Sequence, residues 1–195
     1  MGYHRAGFEV VGVDIAKQPH YPFEFHQADA LEYLAEHGQE FDVIHASPPC
    51  QRYSTFTPNR CKGNHADLIG TTRELLMASG KPFVIENVPG ARALLRTPLL
   101  LCGSMLGLHI WRHRYFELWP DMLILTSPCR HDFRPVMITD NGGPNGNGWG
   151  KPRKRTPIAV KREAADIDWM TGTEITEAIP PAYTEFIGRY LLDSN

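Results

Sequence analysis

Three short apolar segments, Phe8-Glu9-Val10-Val11-Gly12-Val13-Asp14, Phe41-Asp42-Val43-Ile44-His45-Ala46 and Lys81-Pro82-Phe83-Val84-Ile85-Glu86-Asn87-Val88, each end on polar or turn-forming residues. Between them lie stretches with helical spacing: residues 28–37, opened by Asp29, and residues 66–79, with Leu68, Ile69, Leu75, Leu76 and Met77 recurring at helical intervals. Strands that alternate with helices pair side by side in the same direction, with the helices as crossovers, so the expectation is an α/β fold with a mostly parallel sheet. A chain of 195 residues with 42% hydrophobic and 22% charged content buries one sizeable core. The expected organisation is a catalytic core over 1–120, a short loop-rich region over 121–160 and a C-terminal segment over 161–195 that returns to the core.

Open α/β sheets place their chemistry at the C-terminal ends of the strands. Ser47-Pro48-Pro49-Cys50-Gln51 follows one such end. Proline fixes φ and removes an amide donor, and a residue before proline is pushed out of the helical region, so this turn holds the backbone extended and presents Cys50. A turn with an incidentally buried cysteine is the competing reading, since free cysteine often sits in cores. The third strand ends in a carboxylate and an amide, Glu86 and Asn87, and Arg112-His113-Arg114-Tyr115-Phe116 sets two arginines at alternate positions before an aromatic pair. Near the C-terminus comes Ala178-Ile179-Pro180-Pro181, followed by a helical run through Leu192.

In this order, Pro-Pro-Cys-Gln, Glu-Asn-Val, Arg-x-Arg and Ala-Ile-Pro-Pro, the segments resemble the DNA cytosine-5 methyltransferases, especially the small phage and prophage type. The resemblance runs from Gly2 to about Leu192. It implies a Rossmann-like, S-adenosylmethionine-dependent methyltransferase fold with a small target-recognition region, acting on DNA. The family opens with a strand and a glycine-rich turn of the Asp-Leu-Phe-x-Gly-x-Gly-Gly kind, and nothing in this sequence matches it. Residues 1–7 look like the helix that follows that turn, and Phe8 to Asp14 like the next strand. That first strand is central in the family's sheet, so its absence is expected to leave two apolar strands without a ladder between them.

The resemblance assigns roles. Cys50 is the nucleophile that adds to carbon 6 of cytosine, because carbon 5 alone is too weak a nucleophile to take a methyl group. An ordinary thiol has a pKa near ~8.5 and needs activation by a cation, for which Arg114 is the candidate. Glu86 protonates or hydrogen-bonds ring nitrogen 3, and burial at the end of Phe83-Val84-Ile85 is expected to raise its pKa. Asn87 holds the loop that carries Cys50 and is counted among the DNA-binding candidates. Arg114 binds the base's carbonyl oxygen, with Arg112 on the backbone or in support. On the donor side, Asp14 is placed for the ribose hydroxyls and Asp29 for the adenine amine, with their neighbours Ile15 and Ala30, and Pro48 lines the pocket beside the sulfonium. A strand-end turn explains Asp14 equally, and a helix N-cap explains Asp29.

A cytosine stacked in a duplex cannot reach a cysteine on a turn, so the base must be flipped out. Residues 51–65, polar and punctuated by glycine and proline, resemble the loop that closes over DNA in this family; Gln51 and Ser54 are its candidate contacts. Residues 126–157 read as loop, with a glycine-asparagine run leading into Lys151-Pro152-Arg153-Lys154-Arg155. Lys151, Arg153, Lys154 and Arg155 form the densest cluster of positive charge in the sequence and suit phosphate contact. A solvated surface loop is the bland reading.

The net charge of −2 gives no general support for nucleic-acid binding, so any such surface is local. Four cysteines, Cys50, Cys61, Cys102 and Cys129, show neither C-x-x-C spacing nor a dense framework, which suits a reducing cytoplasm. Cys129-x-His131 with Cys102, His109 and His113 follows none of the usual zinc-ligand spacings, so no metal is expected. No leader peptide or membrane-length apolar run is expected either, and a monomer is the expected state. Two other readings stay open: a nucleotide-level pyrimidine methyltransferase, and a catalytically impaired remnant that binds DNA.

Overall fold

The computed structural model describes residues 1–55, 57–139 and 156–193. The chain forms two compact units, one of Met1–Val10, Cys102–Arg112 and Ser127–Asn195, the other of Val11–Leu101 and His113–Thr126.

The second unit contains every strand among the described residues. β1 (Val11–Asp14) and β2 (Glu24–Gln27) pair in parallel, Val11 opposite Glu24 and Asp14 opposite Gln27. The remaining strands, β3 (Ile44–Ala46), β4 (Phe83–Asn87), β5 (Leu99–Leu101) and β6 (Arg114–Trp119), form a separate sheet in the order β3-β4-β6-β5. β1 and β3 do not pair with one another, and each has one edge without a ladder partner among the described residues.

The expectation of a mostly parallel sheet is corrected. β3 and β4 are parallel, but β6 runs antiparallel to both β4 and β5, so the larger sheet is mixed. Apolar periodicity marks a strand without giving its direction, which is set by the connection. Helices α2 (Ala30–His37) and α4 (Ile69–Ser79) stand before β3 and β4 as crossovers do. After β4 there is only a 3₁₀ stretch, Pro89–Leu94, and β6 returns after residues 102–112 have joined the other unit.

β4 is buried at all five positions, which is why Phe83-Val84-Ile85 reads as a continuous apolar run and not as an alternation. Ile69 and Leu76 of α4 pack with Phe83, Ile85, Ala91 and Leu95, and Leu34 of α2 and Ile44 of β3 close on the same cluster. The carboxylate of Glu117, 3% exposed, accepts from Arg73 Nε at 2.7 Å, Arg73 Nη2 at 2.7 Å and the Arg96 amide at 2.8 Å. A buried charge is tolerated there because its oxygens are hydrogen-bonded and its charge is matched. The short helix α3 (Asn59–Lys62) lies in the stretch read as loop.

In the first unit α1 (Gly2–Ala6) packs on α7 (Pro181–Asp193). Glycine is needed at this crossing, since a Cβ on Gly188 would lie 2.9 Å from that of Ala6 and one on Gly2 would lie 2.1 Å from the Pro181 carbonyl oxygen. Phe8 belongs to this unit, its ring edge-on to Tyr3, so the second unit's first strand starts at Val11 and not at the expected Phe8. The unit's core is Ile110, Ile138, Ala164, Ala165, Ile167 and Ile175, drawn partly from α5 (Ile158–Ala165) and α6 (Gly172–Glu177). Among the described residues no helix is long and apolar enough to cross a membrane.

Candidate active site

The candidate catalytic residues of the second unit sit where β3, β4 and β6 end or begin. Pro48 is buried, and Cys50 is a free, half-buried thiol two residues further on. The Cys50 carbonyl accepts from the amides of both Tyr53 and Ser54 at 2.9 Å, which curls the chain into a turn directly after the cysteine. A Cβ on Gly90 would lie 2.1 Å from the Tyr53 carbonyl oxygen, so only glycine lets the segment after β4 pass so close to this turn.

Asn87, at the end of β4 and 1% exposed, ties the two strand ends together. Its Nδ2 donates to the Pro48 carbonyl at 2.9 Å, and its Oδ1 accepts from the Val88 amide at 2.9 Å. Proline has no amide of its own, so the carbonyls of the Pro48-Pro49 turn depend on donors from elsewhere. The neighbouring Glu86 is buried at 6% exposure, and its Oε1 lies 2.9 Å from Arg114 Nε. The ladder explains this meeting: Glu86 is opposite Phe116, and Arg114 stands two residues before it, on the same face of the sheet. Arg114 also donates from Nη1 to the His113 carbonyl at 2.8 Å.

Arg112 is placed differently. It belongs to the first unit, where its Nη2 donates to the Thr176 carbonyl at 2.9 Å and its own carbonyl accepts from the buried Tyr183 hydroxyl. The boundary between the units falls inside the Arg-x-Arg motif, and the two arginines belong to different packing environments.

On the donor side, Asp14 closes β1 and its carboxylate accepts from the Ala16 amide at 2.7 Å and from Gln18 Nε2 at 3.3 Å. Ile15 beside it is 71% exposed, and its carbonyl accepts from Gln27 Nε2 at 3.2 Å. Asp29 is the N-cap of α2, its Oδ1 accepting from the Leu31 amide at 2.8 Å and more distantly from Glu32; Ala30 is the first helical residue. Both acids therefore carry the local structural roles that competed with donor binding in the sequence. Acceptor capacity for a hydroxyl or amine remains on both carboxylate oxygens of Asp14 and on Oδ2 of Asp29.

His45 was not singled out by the sequence reading. Its ring lies edge-on to Phe116, with Nε2 3.2 Å from Ser47 Oγ, and burial pushes its pKa down to about 4. A histidine in an alternating strand gives no sequence signal that it is held neutral. In the following loop, Arg52 Nη1 donates to the His65 carbonyl at 3.0 Å, Gln51 is exposed and Ser54 is half-buried. Lys151, Arg153, Lys154 and Arg155 lie outside the described residues.

No known family model matches the chain, and no curated protein matches it. Among solved structures, a candidate DNA modification methyltransferase encoded within a prophage of Escherichia coli is similar over 98% of this chain and 94% of its own, with a TM-score of 0.54 and 16% identity. A mutant of Spodoptera frugiperda DNMT2 is similar over 71% of this chain and 55% of its own, with a TM-score of 0.42 and 20% identity. The near-complete mutual coverage shows that this chain shares the α/β fold of the prophage protein.

Proposed function

We propose that this chain transfers a methyl group from S-adenosylmethionine to carbon 5 of cytosine in DNA, through a covalent adduct on Cys50. The observation that carries this reading is the Asn87–Pro48 hydrogen bond, which fastens the cysteine turn to the strand end that bears Glu86. A proline-stiffened turn anchored by a buried amide next to a buried carboxyl group is what a positioned nucleophile with a nearby proton donor requires.

In this reading the Cys50 thiolate forms a bond to carbon 6 of a flipped cytosine. The electron pair of the 5,6 double bond is released toward carbon 5 as Glu86, protonated at the start, delivers its proton to ring nitrogen 3. Arg114 orients the Glu86 carboxyl group through Nε, and its guanidinium would donate to the base's carbonyl oxygen. Asn87 acts as a positioning residue that keeps Sγ in line with carbon 6. Asp14, Ile15, Asp29, Ala30 and Pro48 would hold S-adenosylmethionine, two acids for hydroxyl and amine and an exposed aliphatic chain for the adenine face. The donor, when bound, supplies an electrophilic methyl group. Loss of the carbon 5 proton to a base, with the nitrogen 3 proton returning to Glu86, then restores the 5,6 double bond and lets the Cys50 thiolate leave. Arg112, held by Thr176 and Tyr183, supports the first unit and makes no contact with the base in this scheme.

The test is DNA carrying 5-fluorocytosine, incubated with the chain and S-adenosylmethionine. Fluorine cannot leave as a cation, so a denaturant-resistant protein–DNA adduct mapping to Cys50 is expected, absent in Cys50→Ser. An adduct that persists in Cys50→Ser overturns the assignment of the nucleophile.

A further inference from the structure

Cys102, Cys129 and His131, all in the first unit, converge although the two cysteines stand 27 positions apart in sequence. The ligand atoms of the three lie within 4.8 Å of one another. His131 Nε2 is 3.6 Å from Cys102 Sγ and 3.0 Å from Cys129 Sγ. Around a tetrahedral zinc ion, with Zn–S near ~2.3 Å and Zn–N near ~2.0–2.1 Å, adjacent nitrogen and sulfur ligands stand ~3.5 Å apart. The two observed separations lie within about half an ångström of that value.

The surroundings hold the three groups in place. Cys102 is fully buried at the start of the 3₁₀ turn Gly103–Leu106. Ser104 of that turn donates to Cys102 Sγ at 3.3 Å, lies 3.6 Å from Cys129 Sγ and accepts from the Arg130 amide at 3.1 Å. One hydroxyl therefore joins both cysteine-bearing segments, as an outer-shell partner of metal ligands does. The His131 ring stacks on Trp111 with centroids 4.4 Å apart, which fixes its plane and turns Nε2 toward the sulfurs. His109 is not part of the group; its ring meets Phe133 edge-on.

We propose that Cys102, Cys129 and His131 form a structural zinc site, a proposal that does not depend on the methyltransferase reading. The sequence argument against a metal rested on spacing, and spacing recognises only ligand pairs that share a local turn. Here Cys129 and His131 are such a pair, whereas Cys102 reaches them through the tertiary fold. Two thiolates and an imidazole are the donor set that favours zinc over harder divalent ions. The segment from Ser127 to Val136 contains no helix or strand, so a metal would cross-link an otherwise irregular chain to the turn after β5.

The full-length chain, expressed with supplemental zinc and dialysed against metal-free buffer, is expected to retain one zinc per chain by elemental mass spectrometry. Replacement by Co²⁺ is expected to give thiolate-to-cobalt charge-transfer absorption and the intense visible bands of a tetrahedral site. Cys129→Ser and His131→Ala should each weaken zinc binding at least tenfold against a competing chelator. Cys129 and His131 are exposed, so circular dichroism of these variants separates metal loss from unfolding. Less than a tenth of an equivalent of zinc with no cobalt charge transfer, a Cys102–Cys129 disulfide in freshly purified protein, or full zinc retention in the Cys129→Ser/His131→Ala double variant would each overturn the proposal.

Discussion

Replacing Asn87 with aspartate tests the link between local structure and chemistry most directly, because it changes one atom's hydrogen-bonding character and almost no volume. Nδ2 donates to the Pro48 carbonyl in a buried setting, and the isosteric oxygen of aspartate can only accept. The Pro48 carbonyl then loses its donor and faces a carboxylate oxygen. Leaving such a group unsatisfied costs ~1–3 kcal/mol, and for a chain of this size each kcal/mol shifts the thermal midpoint by ~2–4 °C. The second consequence concerns Cys50, two residues beyond the lost bond. If the turn relaxes by an ångström, the rate of adduct formation should fall ~10²-fold, since positioning errors of that size cost that much. The assay pairs urea denaturation with single-turnover trapping on 5-fluorocytosine DNA, read as a rate and as a DNA Kd. Expected are a lower midpoint, a ~10²-fold slower trapping rate and an almost unchanged Kd. A stability loss with an undiminished trapping rate would make Asn87 a purely structural residue and refute the positioning argument; no change in either would refute the buried bond itself.

Glu86→Gln should slow adduct formation by ~10²-fold or more with little change in DNA affinity, because general-acid help is typically worth ~10²–10⁴-fold; lost DNA binding with an intact single-turnover rate would instead mark Glu86 as a structural acid. His45 is neutral in the fold, with its pKa lowered to about 4, while an unfolded histidine titrates near ~6.5, so stability is fully present above pH ~6.5 and declines as pH falls toward 4. The whole effect is at most ~3 kcal/mol, and His45→Gln should flatten the urea midpoint over that pH window; an unchanged slope would show that His45 is not the responsible group. Alanine at Lys151, Arg153, Lys154 and Arg155 together should weaken binding to all DNA sequences alike and flatten its salt dependence, whereas an unaltered salt slope would return these residues to a solvated loop. Calorimetry with S-adenosylmethionine should find binding that Asp14→Ala weakens at least tenfold, since the Asp14 carboxylate closes β1 with acceptor capacity left for ribose hydroxyls; an unchanged affinity would remove Asp14 from the donor site.

What the sequence disclosed, and what it hid, follows from the range of each signal. The Pro48-Pro49 turn, the N-cap at Asp29 and the buried run Phe83-Val84-Ile85 are local consequences of φ restriction, side-chain capping and burial on both faces, so they read correctly from neighbouring residues. β2 escaped notice because Glu24-Phe25-His26-Gln27 is too short and polar to announce a strand, and pairing with β1 is what makes it one. The antiparallel sense of β6 is a property of its connection and not of its residues. The Arg73–Glu117 pair joins residues 44 positions apart and left no pattern to read. Arg112 and Arg114 look equivalent in the sequence, two cations at period two, yet one meets Glu86 and the other meets Thr176 because the unit boundary passes between them.

The two sheets of the second unit divide the labour that the proposed reaction needs. Asp14 and Asp29, the acids offered to the donor, belong to β1 and the helix after β2, whereas Cys50, Glu86, Asn87 and Arg114 belong to the sheet of β3, β4 and β6. No ladder joins β1 to β3 among the described residues, so backbone hydrogen bonds do not fix one set of groups relative to the other. The packing that does join them runs through α2: Asp29 caps it, its Leu34 closes on the cluster of Ile69, Leu76 and Phe83, and Ile44 of β3 meets the same cluster. Side-chain packing is less directional than a ladder, and helix α2, with no fully buried residue, offers only one partly buried leucine to that cluster. The cysteine turn is therefore tied to the strand of Glu86 by the Asn87 side chain, while the donor-side acids, without a ladder to that sheet among the described residues, meet its core through Leu34 of α2. In the proposed reaction, addition of Cys50 to the base is the step this scaffold organises best, and alignment of the donor with carbon 5 is the step that depends on how firmly α2 seats against α4.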